Sequence, residues 1–338
     1  MPDIHFYSVV VPTFSRTDEV IELLSSLEKQ ENNNFEVIIA DGSLDDSVKQ
    51  VIDKYHDKLE LKYLYQKGLG ISESRNWGVE NAKGDFVVFF DSDCVIPPQY
   101  FKVVSESLTD DPIDAYGGPD RAGNNFNYKQ KAISYAMTSF YTTGGIRGRK
   151  KHFGHYQPRS FNMGIRKTVF NALGGFSGLK VSEDIDLSIR LDKNGYRTGF
   201  FEEAYVYHKR RSTFYKFFRQ VFSFGSGRID LQLKHGDALK PVHLLPALFV
   251  IYIICGIVAG CISTIAFALW FSSILVYCMA VIINSTFQNR NLIVGLMSIY
   301  AAFVMLTGYG LGMIKSVVSR YLLKNKNETV KPAITRKA

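Results

Sequence analysis

Between Lys240 and Arg290 the chain carries no Asp, Glu, Lys or Arg. A water-soluble domain could bury such a run only as a helix pair deep in a large core, so the stretch points to a membrane. Leu244–Ile283 is long enough for two spans of about 20 residues each. Leu292–Ile314 is a third apolar segment, with glycines at 295, 308, 310 and 312. The opening residues MPDIHFYSVVVPTF have neither a basic start nor a long apolar core, so no signal peptide is expected there.

Charge is unevenly spread over the 338 residues, whose net formal charge is +8. From Lys315 onward there are seven Lys/Arg against one Glu, a pattern that favours a cytoplasmic, lipid-facing tail. Three spans would put that tail on the opposite side from the N-terminal part, and the two signals conflict. Between Asp120 and Glu183 there are eleven Lys/Arg and no acid. That is either a solvated basic face or a surface receiving phosphates or anionic lipid. The four cysteines form no C-x-x-C pair, and three of them lie in the apolar segments. Neither a zinc site nor a disulfide framework is suggested.

The N-terminal part alternates in period. YSVVVPTFSR opens with a strand, Ser8–Val11, stopping at Pro12. TDEVIELLSSLEKQ follows with Val20, Leu23, Leu24 and Leu27 on one helical face. Strand, helix, strand and helix then lead to GDFVVFFDSDC, giving β-α-β-α-β-α-β over about ninety residues. A doubly wound parallel sheet is predicted, with Asp91-Ser92-Asp93 at the carboxyl end of the Phe86–Phe90 strand, where open α/β sheets place ligands. An isolated D-x-D is more simply an acidic turn. Polar motifs at three successive strand ends favour a crevice in which two carboxylates share a hard cation. Beyond Pro97-Pro98 the reading is a strand and turn in AYGGPDRAG, a helix in FNYKQKAISYAMTSFYTTGG and a basic loop over Gly144–Gly154. A strand and helix follow in SFNMGIRKTVFNALGGF, then an acid-fronted helix in SEDIDLSIRLDKNGY and a last strand in RTGFFEEAYVYHKRRS.

These motifs, in this order from Ser8 to Arg228, resemble the family 2 glycosyltransferases. Their arrangement before the membrane segments is most similar to bacterial exopolysaccharide enzymes of the succinoglycan-synthesis type. The resemblance implies an α/β, Rossmann-like GT-A domain with a mostly parallel sheet over 1–211 and an amphipathic interfacial segment over 212–243. A transmembrane region of about three helices over 244–314 and a basic tail over 315–338 would complete the chain.

It also implies roles. Thr13 and Asp41 would hold the nucleotide base, Arg75 would contact its phosphate or stack on it, and Asp91 would lie near the ribose. Asp93 would bind a divalent cation, Mg2+ or Mn2+, bridging the diphosphate, with His208 able to complete its shell. Asp184 would be the base that takes the acceptor hydroxyl proton. Its preference over Asp186 comes from the family pattern, not from spacing. Glu183, Lys209, Arg210, Arg211, Gln220 and Arg228 are candidate acceptor or phosphate contacts. The processive synthases' Q-x-x-R-W motif is absent, since Gln220 is followed by Val-Phe-Ser-Phe.

The expected activity is inverting, metal-dependent transfer from a nucleotide-sugar, expected to be a UDP-sugar, to a saccharide on a polyprenyl diphosphate. Its setting would be a bacterial inner membrane, with the catalytic domain on the cytoplasmic side. Membrane lipid is an expected partner and nucleic acid is not. Rival readings are a polyprenyl-phosphate sugar synthase and a non-catalytic membrane subunit retaining the fold. A nucleotidyltransferase lacks its phosphate-binding glycine-rich loop here.

Overall fold

The structure is a computed structural model describing residues 5–121, 123, 126–144 and 156–323, the side chain of Leu322 excepted. The basic loop and most of the tail lie outside the described residues. Two units form, one drawn from Met1–Gly123 and Lys150–Lys209, the other from Asn124–Arg149 and Arg210–Thr329.

The first unit begins with the predicted alternation: β1 (Tyr7–Thr13), α1 (Thr17–Leu27), β2 (Phe35–Asp41), α2 (Ser47–Ile52), β3 (Leu61–Tyr65), α3 (Ile71–Glu80) and β4 (Phe86–Phe90). It continues with β5 (Cys94–Val95), α4 (Tyr100–Asp110), β6 (Ala115–Gly117) and β7 (Asp120–Arg121). After the excursion into the second unit come β8 (Asn162–Arg166), α7 (Lys167–Ala172), α8 (Glu183–Lys193), β9 (Thr198–Phe200) and β10 (Val206–His208). That excursion holds α5 (Tyr128–Thr138) and α6 (Phe140–Thr143).

A seven-stranded sheet runs β3-β2-β1-β4-β8-β6-β9. Only β8 is antiparallel to its neighbours. β1 and β4 are buried on both faces, which is why they read as unbroken apolar runs rather than as alternating ones. Val9, Val11, Phe86, Val88 and Phe90 enter one core, and Val10, Val87 and Phe89 enter the other.

Two readings are corrected. β1 does not stop at Pro12 but runs through it. The Thr13 carbonyl accepts from Gly42 N on the β2 side, so Pro12 faces the other way, toward β4. There the pairing has already ended at Val10–Phe89, and no ladder bond needs the missing N–H. The last strand is also two strands. β9 closes the large sheet, and after the Glu202–Glu203 turn β10 enters a small sheet of order β5-β10-β7. That sheet pairs His208 with Cys94 across antiparallel strands.

The second unit holds α5 and α6, α9 (Phe214–His235), α10 (Leu245–Ile262), α11 (Thr264–Asn289) and α12 (Leu292–Val317). The helix read at FNYKQKAISYAMTSF therefore groups with the C-terminal helices rather than with the 1–211 domain. Ala132, Ile133 and Ala136 share a core with Phe217, Val221, Val294 and Ala301. Among the described residues, three helices here are long and apolar enough to cross a membrane.

Asn162 of β8 is fully buried and joins three segments of the first unit. It accepts from the Tyr100 hydroxyl at 2.6 Å and donates to the Ala204 carbonyl at 2.8 Å. Asn162→Ala strands both groups, each at a cost of about 1–3 kcal/mol. The thermal midpoint of the detergent-solubilised chain, followed by circular dichroism, should drop by several degrees. An unchanged midpoint would mean that both groups find other partners.

Candidate active site

The carboxyl ends of β1, β2 and β4 converge as the alternation requires. Thr13 and Asp41 are register partners at the ends of β1 and β2, and both are buried. The Thr13 hydroxyl has no hydrogen-bond partner among the described residues. Asp41 is more committed. Its Oδ1 accepts from the Ser43 amide at 2.8 Å and from the Ser43 hydroxyl, and its Oδ2 accepts from the Tyr63 hydroxyl at 2.7 Å. Burial, then the Asp41 carboxylate, pushes the Tyr63 phenol far above its ordinary range. Asp41 thus closes an Asx turn, and any base N–H would meet lone pairs left over from these bonds.

Past β4 the two acids of the D-x-D separate. Asp91 bonds Arg75 at 2.7 Å, and the other terminal nitrogen of Arg75 bonds Glu183 at 2.7 Å. Arg75 is 1 % exposed, so it is a buried clamp joining α3, the end of β4 and the start of α8. Burial alone would lower its pKa, but Asp91 and Glu183 outweigh this and raise it. Burial lifts the Glu183 carboxyl above its usual range, with Arg75 pulling the other way. Arg75 is thus paired with both Asp91 and Glu183 in this structure.

Asp93 faces a different set of groups. Its Oδ1 lies 3.0 Å from His208 Nε2, and its Oδ2 accepts from Arg16 Nη1 at 2.9 Å. The Phe161 ring stacks on the imidazole with centroids 5.0 Å apart. Ligand atoms of Asp93, Cys94 and His208 all lie within 4.8 Å of one another. Carboxylate and imidazole suit Mn2+ or Mg2+ chemistry, whereas the thiol is softer. Burial, then Asp93, pushes the Cys94 pKa well up, and its Sγ donates to the Phe161 carbonyl. Lys209 pairs with Glu22 at 2.8 Å, and its backbone N–H donates to the Asp93 carbonyl.

In α8 the three acids divide. Asp186 is wholly buried, bound by Arg190 Nε and Nη2 at 3.0 and 2.8 Å and by Ser177 Oγ at 2.8 Å. Asp184 is 17 % exposed, accepts the Ile185 amide and stands 3.7 Å from Arg159. Arg210, Arg211, Gln220 and Arg228 belong to the second unit, where Arg210 and Arg228 are mostly buried. The Arg210 carbonyl accepts from Gln130 there.

The sequence reading did not single out Arg16, Cys94 or Arg159 for the site. Arg16 follows β1 by three residues, and no local pattern marks it. Cys94 adjoins the D-x-D, which was its one visible signal.

The fold and the carboxylates at its strand ends define a GT-A domain. Residues 8–174, just under half of the chain, match the model of glycosyl transferase family 2. It is 38 % identical over 100 residues to a Staphylococcus aureus poly(ribitol-phosphate) beta-N-acetylglucosaminyltransferase, covering 28 % of this chain and 18 % of that one. It is 25 % identical over 233 residues to the succinoglycan biosynthesis protein ExoA of Rhizobium meliloti, covering 67 % and 70 %. The chain spans between 18 % and 26 % of the length of the curated relatives it matches first. Among solved structures, a mannosyltransferase from Pyrobaculum calidifontis in complex with GDP-Man and Mn2+ superposes with a TM-score of 0.66 at 16 % identity. It covers 94 % of this chain and 88 % of that one, a likeness of fold.

Arg75→Met should be severely destabilising, since it leaves Asp91 and Glu183 facing each other without their cation. Loss of one partner of a buried pair costs about 3–5 kcal/mol. Adding Glu183→Gln should recover part of that loss in thermal unfolding. No recovery would show that the two carboxylates do not share the guanidinium.

Proposed function

We propose that the chain is an inverting glycosyltransferase using a nucleotide-sugar, with a UDP-sugar as the expected donor, and a divalent cation. The observation that carries this reading is the division of the carboxylates. Asp93 faces His208 at the end of β4, while Asp184, at the start of α8, keeps the least committed carboxylate of its turn. The first arrangement suits a cation and the second suits a proton acceptor.

Asp93 and His208 would hold the Mg2+ or Mn2+, which when bound stabilises the nucleoside diphosphate as it departs. Arg16 now takes Asp93 Oδ2 and would either neutralise part of the diphosphate or move aside. Thr13 offers its unpartnered hydroxyl to the base, and Asp41 its remaining lone pairs. Asp91, held by Arg75, presents its second oxygen toward the ribose. Asp184 takes the proton of the acceptor hydroxyl as the new glycosidic bond forms. Arg159 Nη1 stands 3.7 Å from that carboxylate.

The acceptor we infer is a saccharide carried on a polyprenyl diphosphate, in cell-surface polysaccharide synthesis at a bacterial cytoplasmic membrane. Support comes from the apolar helices and from the likeness to ExoA. Product analysis with a nucleotide-sugar panel and polyprenyl-diphosphate saccharides tests it directly. Turnover on the lipid monophosphate alone, giving a single phosphodiester-linked sugar, would point to the synthase instead.

Asp184→Asn should leave donor binding near wild type and lower transfer roughly 10²–10⁴-fold, the usual worth of a general base. Asp186→Asn should instead lower stability, because it loosens a buried ion pair with Arg190, and the folded fraction should still turn over. A dead but stable Asp186→Asn beside an active Asp184→Asn would reverse the assignment.

Asp93→Asn should abolish turnover and weaken donor binding when Mn2+ or Mg2+ is present. Donor affinity and rate that ignore both this change and chelator would remove the cation from the mechanism.

A further inference from the structure

The three helices able to cross a membrane are not alike. In the first two, Pro241–Ile262 and Thr264–Asn289, 11 % and 6 % of the most apolar window is buried in protein, whereas in Leu292–Tyr321 it is 44 %. The apolar side chains of α10 and α11, such as Leu248, Ile254, Ile262, Leu269 and Val276, point outward all round. That is the signature of helices solvated by lipid. Those of α12 are covered by α5, α9, α10 and α11, so protein rather than lipid accounts for much of its apolar composition.

α12 has a partner that lipid would reject. α9 runs parallel to it in constant register, with Phe214 on Tyr300, Val221 on Gly308, Ser226 bonded to the Gly312 carbonyl at 3.0 Å and Asp230 bonded to Arg320 at 3.2 Å. Backbones meet at Gly225 and Gly312, where an added Cβ would strike the other helix. If α12 crossed the bilayer, this register would set Lys216 and Arg219, both exposed, beside Tyr300–Gly308, the middle of the span. Mid-bilayer is the most unfavourable depth for a lysine or arginine.

The path of α12 past the hairpin agrees. Phe303 packs on Phe249 and Tyr277. Two turns later Gly310 has moved only to Pro246 and Val250, still in the first turns of α10. A helix returning antiparallel to α11 would by then lie far deeper. Beyond that level the hairpin's close contacts are its own: Tyr252 with Ser273, Gly256 with Trp270, and Gly260 with Phe267. Charge follows the same division. Lys240 and Arg290 flank the hairpin on its open side, while the turn at Ser263 has no charged neighbour.

We propose that only the α10–α11 hairpin crosses the bilayer. α12 lies with α9 against the headgroups on the side from which α10 enters, and the chain at Tyr321 is back on that side. The surface that meets anionic lipid is then formed by the exposed Lys216, Arg219 and Lys315. This topology removes the conflict between an odd number of spans and a basic tail.

The test uses the full chain in right-side-out and inside-out vesicles, with Cys94, Cys255, Cys261 and Cys278 replaced by serine or alanine. Single cysteines are placed at exposed positions by Ile262→Cys, Gln288→Cys and Tyr321→Cys. A membrane-impermeant maleimide should label positions 288 and 321 from one face and position 262 from the other. Labelling of position 321 from the face of position 262 would overturn the proposal. Because the substituted background could fail to fold, a second measurement keeps the native cysteines and tags each end of the chain. External protease should remove both tags from the same vesicle orientation, and removal from opposite orientations would overturn the proposal equally.

Discussion

A guanidinium that is 1 % exposed can stay charged only if carboxylates meet it, and Arg75 is met by two. That requirement fixes three elements at once. α3 must bring Arg75 under the end of β4, β4 must release Asp91 at that height, and α8 must begin with an acid pointing inward. The Phe176 ring lies 5.2 Å from the guanidinium carbon and closes the fourth side. Remaking any of these contacts moves the neighbouring site residues, because Asp93 and Asp184 are each within two residues of a carboxylate the clamp holds.

Among the described residues, two of the three non-glycine residues in the left-handed region stand just before residues of this candidate site. Ser15, at φ 51°, precedes Arg16, and its amide donates to Ser43 Oγ at 2.7 Å. Ser182, at φ 67°, precedes Glu183 and makes no side-chain cap on α8. Each costs on the order of 1 kcal/mol that a different backbone would avoid. What each gains is direction. The first turn presents a guanidinium to Asp93, and the second sends Glu183 inward, so that Asp184 emerges on another face. Local rules are broken where the site needs an orientation that regular structure does not supply.

This explains what could be read in advance. Strands buried on both faces and amphipathic helices are written in neighbouring residues, so β1 to β4 and the D-x-D at the strand end were legible. Of the two groups on Asp93, His208 was named only through the family resemblance, since it reaches Asp93 through a three-residue strand whose pairing with Cys94 spans residues 94 to 208, and Arg16 carried no signal at all. The split of β9 from β10 turns on two glutamates that look like ordinary surface residues. α5 reads as a polar surface helix, and only the positions of Ala132, Ile133 and Ala136 against α9 and α12 show where its small apolar face is spent. The bonds that occupy Asp41 and Arg75, to Ser43 and Tyr63 and to Asp91 and Glu183, were not legible, because each partner lies on a different element or turn.

The acids of α8 show how one helical turn can give three carboxylates three fates. All three sit at the positive end of the helix dipole, so placing acids there is favourable in itself. Successive residues point about 100° apart, which forbids Glu183, Asp184 and Asp186 from sharing a direction. Glu183 turns to the buried Arg75. Asp186 turns to Arg190 one helical turn on, the spacing at which a carboxylate and a guanidinium meet on a helix face. Two guanidinium nitrogens of Arg190, Nε and Nη2, bind the buried Asp186 carboxylate as a fork. Among the described residues, Asp184 has a longer contact to Arg159 and a bond from the Ile185 amide. The neighbours on either side thus leave Asp184 the least committed acid of the turn.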